Sequence, residues 1–118
     1  MEKRGALAAL GALSQETRLD IYRLLVQAGP DGMAAGQIGE QLGLPPATLA
    51  FHLKELKIAG LVTFTRNGRS LIYAAEYPVM NSLLLYLTEN CCDRRSTVRV
   101  RPRRPDANVN TMRRQKRA

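Results

Sequence analysis

Two adjacent cysteines, Cys91 and Cys92, are the only cysteines of the 118-residue chain. Vicinal thiols are soft ligands that can hold a thiophilic ion through two sulfur atoms close in sequence. Because neighbouring residues of a regular helix point roughly 100° apart, joint ligation requires the preceding helix to end or fray near Asn90. Arg94 and Arg95 should favour the thiolate, which is the form that binds metals. The pair is therefore a candidate metal site, the alternative being two small apolar side chains that finish a buried helix.

A second candidate site lies in the middle of the chain, where the pattern predicts two helices joined by a tight turn. Apolar spacing indicates a short helix over residues 36–42, which Gly43-Leu44-Pro45-Pro46 interrupts. A second helix follows over 47–59 and ends at Gly60. In a helix-turn-helix, the second helix enters the major groove of double-stranded DNA. This segment therefore predicts DNA binding.

Two runs of alternating hydrophobicity, 61–66 and 70–75, follow the second helix and flank Asn67-Gly68. Both turn residues tolerate positive φ, so this arrangement is a strong signal for a β-hairpin. Arg66 and Arg69 beside the turn could enter the adjacent minor groove or contact a phosphate; a solvated hairpin with two charges is the alternative. The order of these elements predicts a mainly α fold with a β-hairpin, the winged helix-turn-helix.

An apolar stripe fixes the orientation of the second helix of this motif. Leu49, Leu53 and Leu56 recur at i, i+4 and i+7 and should face the core. The opposite face and the hairpin tip then supply the predicted DNA contacts, which are Thr48, Ala50, Phe51, His52, Lys54, Lys57, Arg66, Asn67 and Arg69.

The residue types on the exposed face of this helix suggest base contacts at its start and phosphate contacts farther along. Thr48 through its hydroxyl, and Ala50 through contact with a thymine methyl, could read base edges. Lys54 and Lys57 lie farther along the helix and suit phosphates. The two rings allow more than one interpretation: Phe51 could be exposed or pack against the hairpin. The remaining ring, His52, could contact a phosphate or lie partly buried with a hydrogen bond to the backbone.

The formal net charge of +8 is concentrated in the last 26 residues. Residues 1–92 carry eight Lys/Arg and eight Asp/Glu, whereas residues 93–118 carry ten Lys/Arg against two Asp. The basic segment has few large apolar residues, so we expect it to be disordered when free. It could be a salt-dependent phosphate-binding arm or a solvated tail without a dedicated role. We therefore divide the chain into a winged helix-turn-helix and dimerisation domain, 1–92, and a basic tail, 93–118.

Neither a membrane segment nor an active site is indicated. Residues 1–13 slightly resemble a signal peptide, but they run directly into another amphipathic helix. No run approaches the roughly 20 apolar residues that span a bilayer, so we expect a cytoplasmic protein without a membrane partner. The sequence also lacks a phosphate-binding glycine loop, a Ser/His/Asp or Cys/His set and a carboxylate cluster. We therefore expect neither enzyme activity nor a catalytic cofactor.

The first and last helices carry apolar residues that suggest a homodimer. A first helix over 2–10 places Leu7 and Leu10 on one face, and Ser14 is a plausible N-cap for the next helix. That second helix should bury Leu19, Tyr22, Leu25 and Val26. A last helix, from Val79 to Cys91 or Cys92, is apolar on more than one face and needs cover on two sides.

The sequence resembles the ArsR/SmtB family of metal- and metalloid-responsive repressors over residues 5–92. The resemblance is carried by Leu-Ser-Gln-Glu-Thr-Arg-Leu-Asp-Ile at 13–21, Thr-Leu-Ala-Phe-His-Leu-Lys-Glu-Leu at 48–56, Ala-Gly-Leu-Val at 59–62 and Arg-Asn-Gly-Arg at 66–69. It implies a homodimer built from the first and last helices. That dimer would bind a palindromic DNA operator and be released by an inducer.

Departures from the family pattern narrow the expected inducer. The helix over 36–42 lacks the Cys-x-Cys pair of many arsenic regulators, and residues 79–90 lack the Asp and His ligands of zinc-type members. Cys91-Cys92 is similar to a subset with vicinal cysteines at the end of the last helix, but the third cysteine that members of that subset usually supply is missing from 93–105. Pro45 also replaces the usual Ser or Thr cap.

The resemblance implies As(III) or Sb(III) as inducer, but two thiols also suit methylarsenite. Inorganic arsenite prefers three sulfur ligands, whereas a monomethylated arsenite already carries one carbon bond and needs only two. Alternatively, hydroxide or a small thiol fills the third position. Two other functions stay open: a redox switch in which Cys91 and Cys92 oxidise or pair with the partner subunit, and an architectural or RNA-associated protein dominated by its basic tail.

Overall fold

Helix, turn, helix and hairpin follow one another in the computed structural model, which describes residues 1–92, as the sequence predicts. The chain divides after Leu87 into two units. The mainly α fold with an antiparallel hairpin confirms the predicted winged helix-turn-helix. The elements in order are α1 (Lys3–Leu13), α2 (Glu16–Ala28), β1 (Met33–Ala34), α3 (Ala35–Leu42), α4 (Pro46–Ile58), β2 (Val62–Asn67), β3 (Ser70–Ala75) and α5 (Tyr77–Thr88).

The predicted leucine stripe of α4 packs into the hydrophobic core. Leu49, Leu53 and Leu56 are buried, which confirms the inward face of this helix. They belong to one cluster with residues of α1, α2, α3 and the sheet, whose largest fully buried members are Ile21, Leu25, Ile38, Leu53, Leu56 and Leu61. Tyr22 also lies in this cluster, where burial and then Tyr77 raise the pKa of its phenol. The opposite face of α4 is consequently left to solvent.

The junction of α1 and α2 differs from the prediction. Because α1 continues to Leu13, Ser14 ends that helix and its Oγ donates to the carbonyl oxygen of Gly11 at 2.8 Å. The N-cap of α2 is instead Gln15, whose Oε1 accepts from the backbone N–H of Arg18 at 2.8 Å. In the predicted stripe of α2, Tyr22 and Leu25 are buried as expected, whereas Leu19 is exposed and Ile21 is buried instead.

The sheet contains a strand that the sequence patterns did not indicate. Met33 and Ala34 form β1, which pairs with β3 opposite Tyr73 and Ile72, and the strand order is β1-β3-β2. The hairpin turn is also one residue later than predicted, because Asn67 pairs with Ser70 and leaves Gly68-Arg69 as the loop. Gly68 has a φ of 66°, and Gly is favoured first in two-residue hairpin loops that require positive φ there.

We expect Gly32→Ala to lower the free energy of unfolding by about 3 kcal/mol, the upper end of the cost of a strained backbone. Gly32 has a φ of 75°, and a Cβ there would collide with the backbone carbonyl oxygen of Tyr73. The matched control is Gly36→Ala in α3, where an added Cβ meets nothing within 4 Å and helix propensity favours alanine. Urea denaturation followed by circular dichroism measures both; equal stability of the two variants would contradict the close approach.

The outer helices leave apolar side chains on the surface. In α1, Ala6 and Ala9 are buried, whereas Leu7 is 62% exposed and Leu10 39%. In α5, Leu83 is buried and Leu87 is 53% exposed. The face of α1 that carries Leu7 and Leu10 is therefore turned away from the core of the protomer. No helix within residues 1–92 is long and apolar enough to cross a bilayer.

The last helix is earlier in the chain than predicted. It begins at Tyr77, whose hydroxyl donates to the carbonyl oxygen of Val26 at 2.9 Å and so joins the start of α5 to α2. Pro78 lies in its first turn, where the missing N–H costs no intrahelical hydrogen bond. The helix ends at Thr88 rather than at Cys91 or Cys92. The basic tail predicted for 93–118 lies outside the described residues.

Candidate nucleic-acid interface and thiol pair

The solvent face of α4 presents most of the predicted helix contacts together. Thr48, Ala50, Phe51, Lys54 and Lys57 are exposed, in contrast to the buried leucine stripe of the same helix. Small and hydroxyl side chains thus lie near the start of the helix and cations toward its end. This arrangement is compatible with base contacts from the first turns and phosphate contacts from the later ones.

The start of α4 has an electrostatic property that suits phosphate. Pro45 occupies the N-cap position and Pro46 the first turn, and no side chain caps the helix. Since proline offers no side-chain acceptor, the first-turn N–H groups stay available to an anion at the positive end of the helix dipole. The departure of Pro45 from a Ser or Thr cap therefore leaves this helix end open to a ligand.

His52 lies on the buried side of α4. Its side chain is only 9% exposed, and Nδ1 lies 3.2 Å from Nη1 of Arg18 in α2. This placement favours the interpretation of His52 as a buried, hydrogen-bonded histidine over that of a phosphate contact. The hydrogen-bond partner is the Arg18 side chain instead of the backbone expected from the sequence. His52 thus departs from the predicted set of DNA contacts, whose other helix members are exposed.

Phe51 has the exposed position that the sequence left open. The ring is 55% exposed and meets the His52 ring edge-on, with centroids 5.3 Å apart. A different residue of α4 contacts the hairpin: Nζ of Lys57 lies 5.4 Å from the centroid of the Phe64 ring, a cation–π contact. Phe64 in turn contacts Tyr73 at 5.4 Å between centroids. Lys57 therefore connects the end of α4 to the sheet while remaining exposed.

The hairpin presents its predicted contact residues at the tip. Arg66 and Asn67 end β2, Arg69 lies in the turn, and all three are exposed. Pairing of Arg66 with Leu71 and of Asn67 with Ser70 fixes the register up to the turn. The wing is therefore an ordered ribbon with one arginine on each side of Gly68.

The thiol pair follows α5 in a non-helical turn. Cys91 N–H donates to the carbonyl oxygen of Thr88 at 3.0 Å, and Asn90 and Cys92 have φ values of 62° and 63°. These left-handed conformations interrupt helical geometry at the pair, so the structure meets the condition that joint ligation places on the end of this helix. The two Sγ atoms lie 3.3 Å apart and both cysteines are exposed. One ion can therefore reach both sulfur atoms.

The pKa of the Cys91 thiol is raised above its ordinary value, first by the hydrogen bond with Cys92 and then by electrostatic interaction with that neighbour. Arg94 and Arg95, which we expected to favour the thiolate, lie outside the described residues. Within residues 1–92, no group of three or more His, Cys, Asp or Glu could hold a metal ion. The described part of the chain therefore offers two sulfur donors rather than a closed coordination shell.

Arg18 is a residue whose structural role was missed at the sequence level. It lies in the segment 13–21, but neither periodicity nor spacing indicates that its guanidinium meets Ala12 and His52. The contact joins residues 34 positions apart, so only the packing of α2 against α4 reveals it.

Comparison with known proteins agrees with this geometry. Residues 13–63 match a family described as a helix-turn-helix domain. The chain is similar to the transcriptional regulator YceK of Bacillus subtilis, with 36% identity over 59 residues, 50% of this chain and 58% of that protein. It is 28% identical over 87 residues to the regulator YgaV of Escherichia coli, covering 74% of this chain and 86% of that protein.

A solved structure extends the likeness from sequence to fold. The ArsR-like transcriptional regulator from Rhodococcus sp. RHA1 superimposes with a TM-score of 0.67 and 27% identity, covering 76% of this chain and 82% of that one. The chain spans little more than half the length of YceK. Residues 13–63 of this chain thus form a helix-turn-helix domain, in the winged fold that it shares with ArsR-like transcriptional regulators.

Proposed function

We propose that this protein is a cytoplasmic transcriptional repressor that binds a palindromic operator as a homodimer and is released when its vicinal thiols bind a trivalent metalloid. The observation that carries the DNA-binding part is the exposed face of α4, which has an uncapped N-terminus and two lysines in its later turns. An arginine-tipped hairpin follows this helix in the chain. The helix-turn-helix match of residues 13–63 supports the same interpretation.

On DNA, α4 would lie in the major groove and the hairpin beside it. Thr48 and Ala50 would contact base edges, and the N–H groups of the first turn would bind a backbone phosphate. Lys54 would contact a second phosphate from the later part of the helix. Arg66 and Arg69 would follow the backbone into the neighbouring minor groove.

Dimerisation would cover the apolar surface of the outer helices. Leu7 and Leu10 on α1 and Leu87 on α5 are exposed leucines of the kind that a dimer interface buries. For both subunits to bind one duplex, the dimer would have to present its two copies of α4 on the same side. The operator is then a palindrome whose half-sites are about one helical turn, 34–36 Å, apart.

The geometry of the thiol pair supports a pyramidal ion. Sulfur atoms 3.3 Å apart that bind one ion through bonds of about 2.3 Å, the length of zinc–thiolate bonds, subtend roughly 90° at that ion. Tetrahedral zinc would require about 109° and four ligands. Trivalent arsenic or antimony is pyramidal, and two sulfurs complete the coordination of methylarsenite. The inducer classes are therefore arsenite, antimonite and methylarsenite, of which the last needs no further protein ligand.

Inducer binding would act through the segment that follows α5. Ligation by Cys91 and Cys92 removes the thiol hydrogen bond between them and fixes the turn after the helix. If α5 contributes to the dimer interface, a shift of its end alters the spacing of the two copies of α4. A coupling of about 1–3 kcal/mol, equivalent to roughly 5–150-fold in operator affinity, is typical of such linkage.

The proposal is tested by fluorescence anisotropy of purified protein with a duplex from its own promoter and a scrambled duplex of equal composition. We expect preferential binding of the promoter duplex, and release on titration with methylarsenite, arsenite or antimonite. Equal affinity for the two duplexes contradicts operator recognition. Binding without release by any of the three contradicts only the inducer assignment.

Thiol oxidation is a second candidate, favoured by the exposure of both cysteines. Two thiols would lose two electrons and two protons to a peroxide, which is reduced to water, and form a disulfide. Adjacent Cα atoms are about 3.8 Å apart, closer than the roughly 4.4–6.8 Å of ordinary disulfides, so bridging Cys91 to Cys92 is strained and pairing between subunits is easier. Loss of DNA binding with peroxide, reversed by dithiothreitol and independent of metalloid, would favour this candidate.

A further inference from the structure

We infer that Arg18 is a positioning residue for DNA binding, which it controls through His52 on α4. The inference rests on the proposed role of α4 as the DNA-reading helix. Arg18 belongs to α2, yet its guanidinium contacts both neighbouring helices: Nε donates to the carbonyl oxygen of Ala12 in α1 at 2.8 Å, and Nη1 lies 3.2 Å from Nδ1 of His52 in α4. One side chain therefore joins three helices.

The α1 side of this link is electrostatically favourable. Ala12 lies in the last turn of α1, where carbonyl oxygens lack intrahelical donors and the helix dipole is negative. A guanidinium placed there both donates a hydrogen bond and supplies the complementary charge. The backbone of Arg18 is held in turn by the Gln15 N-cap at 2.8 Å. Its side chain therefore starts from a fixed position at the beginning of α2.

The contact between Arg18 and His52 determines which nitrogen of the imidazole carries the proton. Arginine has only donors, so Nδ1 of His52 must accept the hydrogen bond, and the proton of the neutral ring is on Nε2. A doubly protonated imidazolium has no acceptor and would place two cations beside each other. The link accordingly requires neutral His52 in one tautomer.

Geometry connects this link to DNA binding rather than to packing alone. The leucines of α4 hold one side of the helix by non-directional contacts, whereas the bond from Arg18 to His52 has a defined direction. It therefore restrains rotation of α4 about its axis and sliding along it. Because α1 carries exposed leucines proposed for the dimer, the same guanidinium also couples the dimer helix to the reading helix.

The sharpest test compares two amide replacements of the same histidine. In His52→Asn the amide oxygen lies close to the former Nδ1 and can still accept from Arg18, whereas in His52→Gln it lies nearer the former Nε2. We expect His52→Asn to keep the operator Kd within about threefold of wild type, and both His52→Gln and Arg18→Met to raise it about tenfold, within the usual range of coupled sites. Arg23→Met, an exposed residue of the same helix, is the control and should bind like wild type.

The measurements separate this inference from the proposed function. Anisotropy with promoter and scrambled duplexes gives the Kd values, while circular dichroism and sedimentation show that each variant is folded and has the oligomeric state of the wild type. Long-range ¹H–¹⁵N spectra of the imidazole report the tautomer without DNA, and we expect a protonated Nε2 and an unprotonated Nδ1. Wild-type protein without operator preference would end the proposed function, whereas equal affinities of His52→Asn and His52→Gln, or a proton on Nδ1, would overturn the role of Arg18.

Discussion

Replacing both thiols, Cys91→Ser together with Cys92→Ser, should leave operator affinity unchanged and abolish release by the metalloid. Serine is close to cysteine in size but its hydroxyl is not a soft ligand for a thiophilic ion. Both side chains are exposed, so the exchange should not disturb a core. Where wild type loses roughly 5–150-fold in operator affinity on induction, the double variant should lose none, as measured by anisotropy during titration with methylarsenite.

The single variants add information on the ligand number. Cys91→Ser and Cys92→Ser should each lose most of the response, because one sulfur cannot chelate. A response to arsenite that needs added small thiol, beside a response to methylarsenite that does not, would support the two-sulfur site. Normal induction of the double variant would show that the inducer binds elsewhere. If instead peroxide releases wild type but not the double variant, and metalloids release neither, the redox candidate is the correct one.

The DNA-reading part of the fold could be predicted because its signals are local. Three leucines at helical spacing determine which face of α4 is buried, and the structure places them in the core. Thr48, Ala50 and Lys54 then follow onto the exposed face by periodicity alone. The same reasoning could not place His52, since a position at the edge of the stripe is decided by what packs beside it. Its partner Arg18 is remote in sequence, and no local pattern joins the two.

Short elements and exact turns were less predictable. Strand β1 has only two residues, too few to show alternation, and exists because Gly32 lets the chain approach β3 closely. The hairpin loop was misplaced by one residue because Asn67 and Gly68 both favour turns, while the register of β2 on β3 selects Gly68-Arg69. The junction of α1 and α2 was misplaced for a similar reason. Ser14 can lie at either end of a helix, and in the structure it ends α1 instead of starting α2.

For the thiol pair, the sequence set a condition that the structure could test: the last helix must end before Cys91 if both sulfur atoms are to bind one ion. Adjacent cysteines on a helix cannot share a ligand, and α5 ends at Thr88 with two left-handed residues after it. The turn after α5 brings the two sulfur atoms to 3.3 Å. Joint ligation needs this proximity, which the sequence alone could not demonstrate. Residues 1–92 place no further metal ligand beside the two sulfur atoms, so the proposed inducer would have to fill its third position without them.

Charge reversal at Lys54 is expected to have the largest effect on DNA binding. Lys54→Glu removes one proposed phosphate contact per protomer and places a carboxylate against the DNA backbone. In a homodimer the change occurs twice, so we expect operator affinity to fall on the order of a hundredfold at moderate salt. The slope of log K against log salt should become shallower by about two, because two fewer counterions are released.

The control for Lys54→Glu is Arg23→Glu, which makes the same change of net charge on an exposed position of α2. If long-range repulsion alone weakened binding, both variants would lose similar affinity and keep the wild-type slope. A contact on α4 predicts a large loss and a changed slope for Lys54→Glu only. Since the leucine stripe fixes which face of α4 is exposed, a Lys54→Glu dimer that bound as tightly as wild type would mean that DNA meets another surface of the protein.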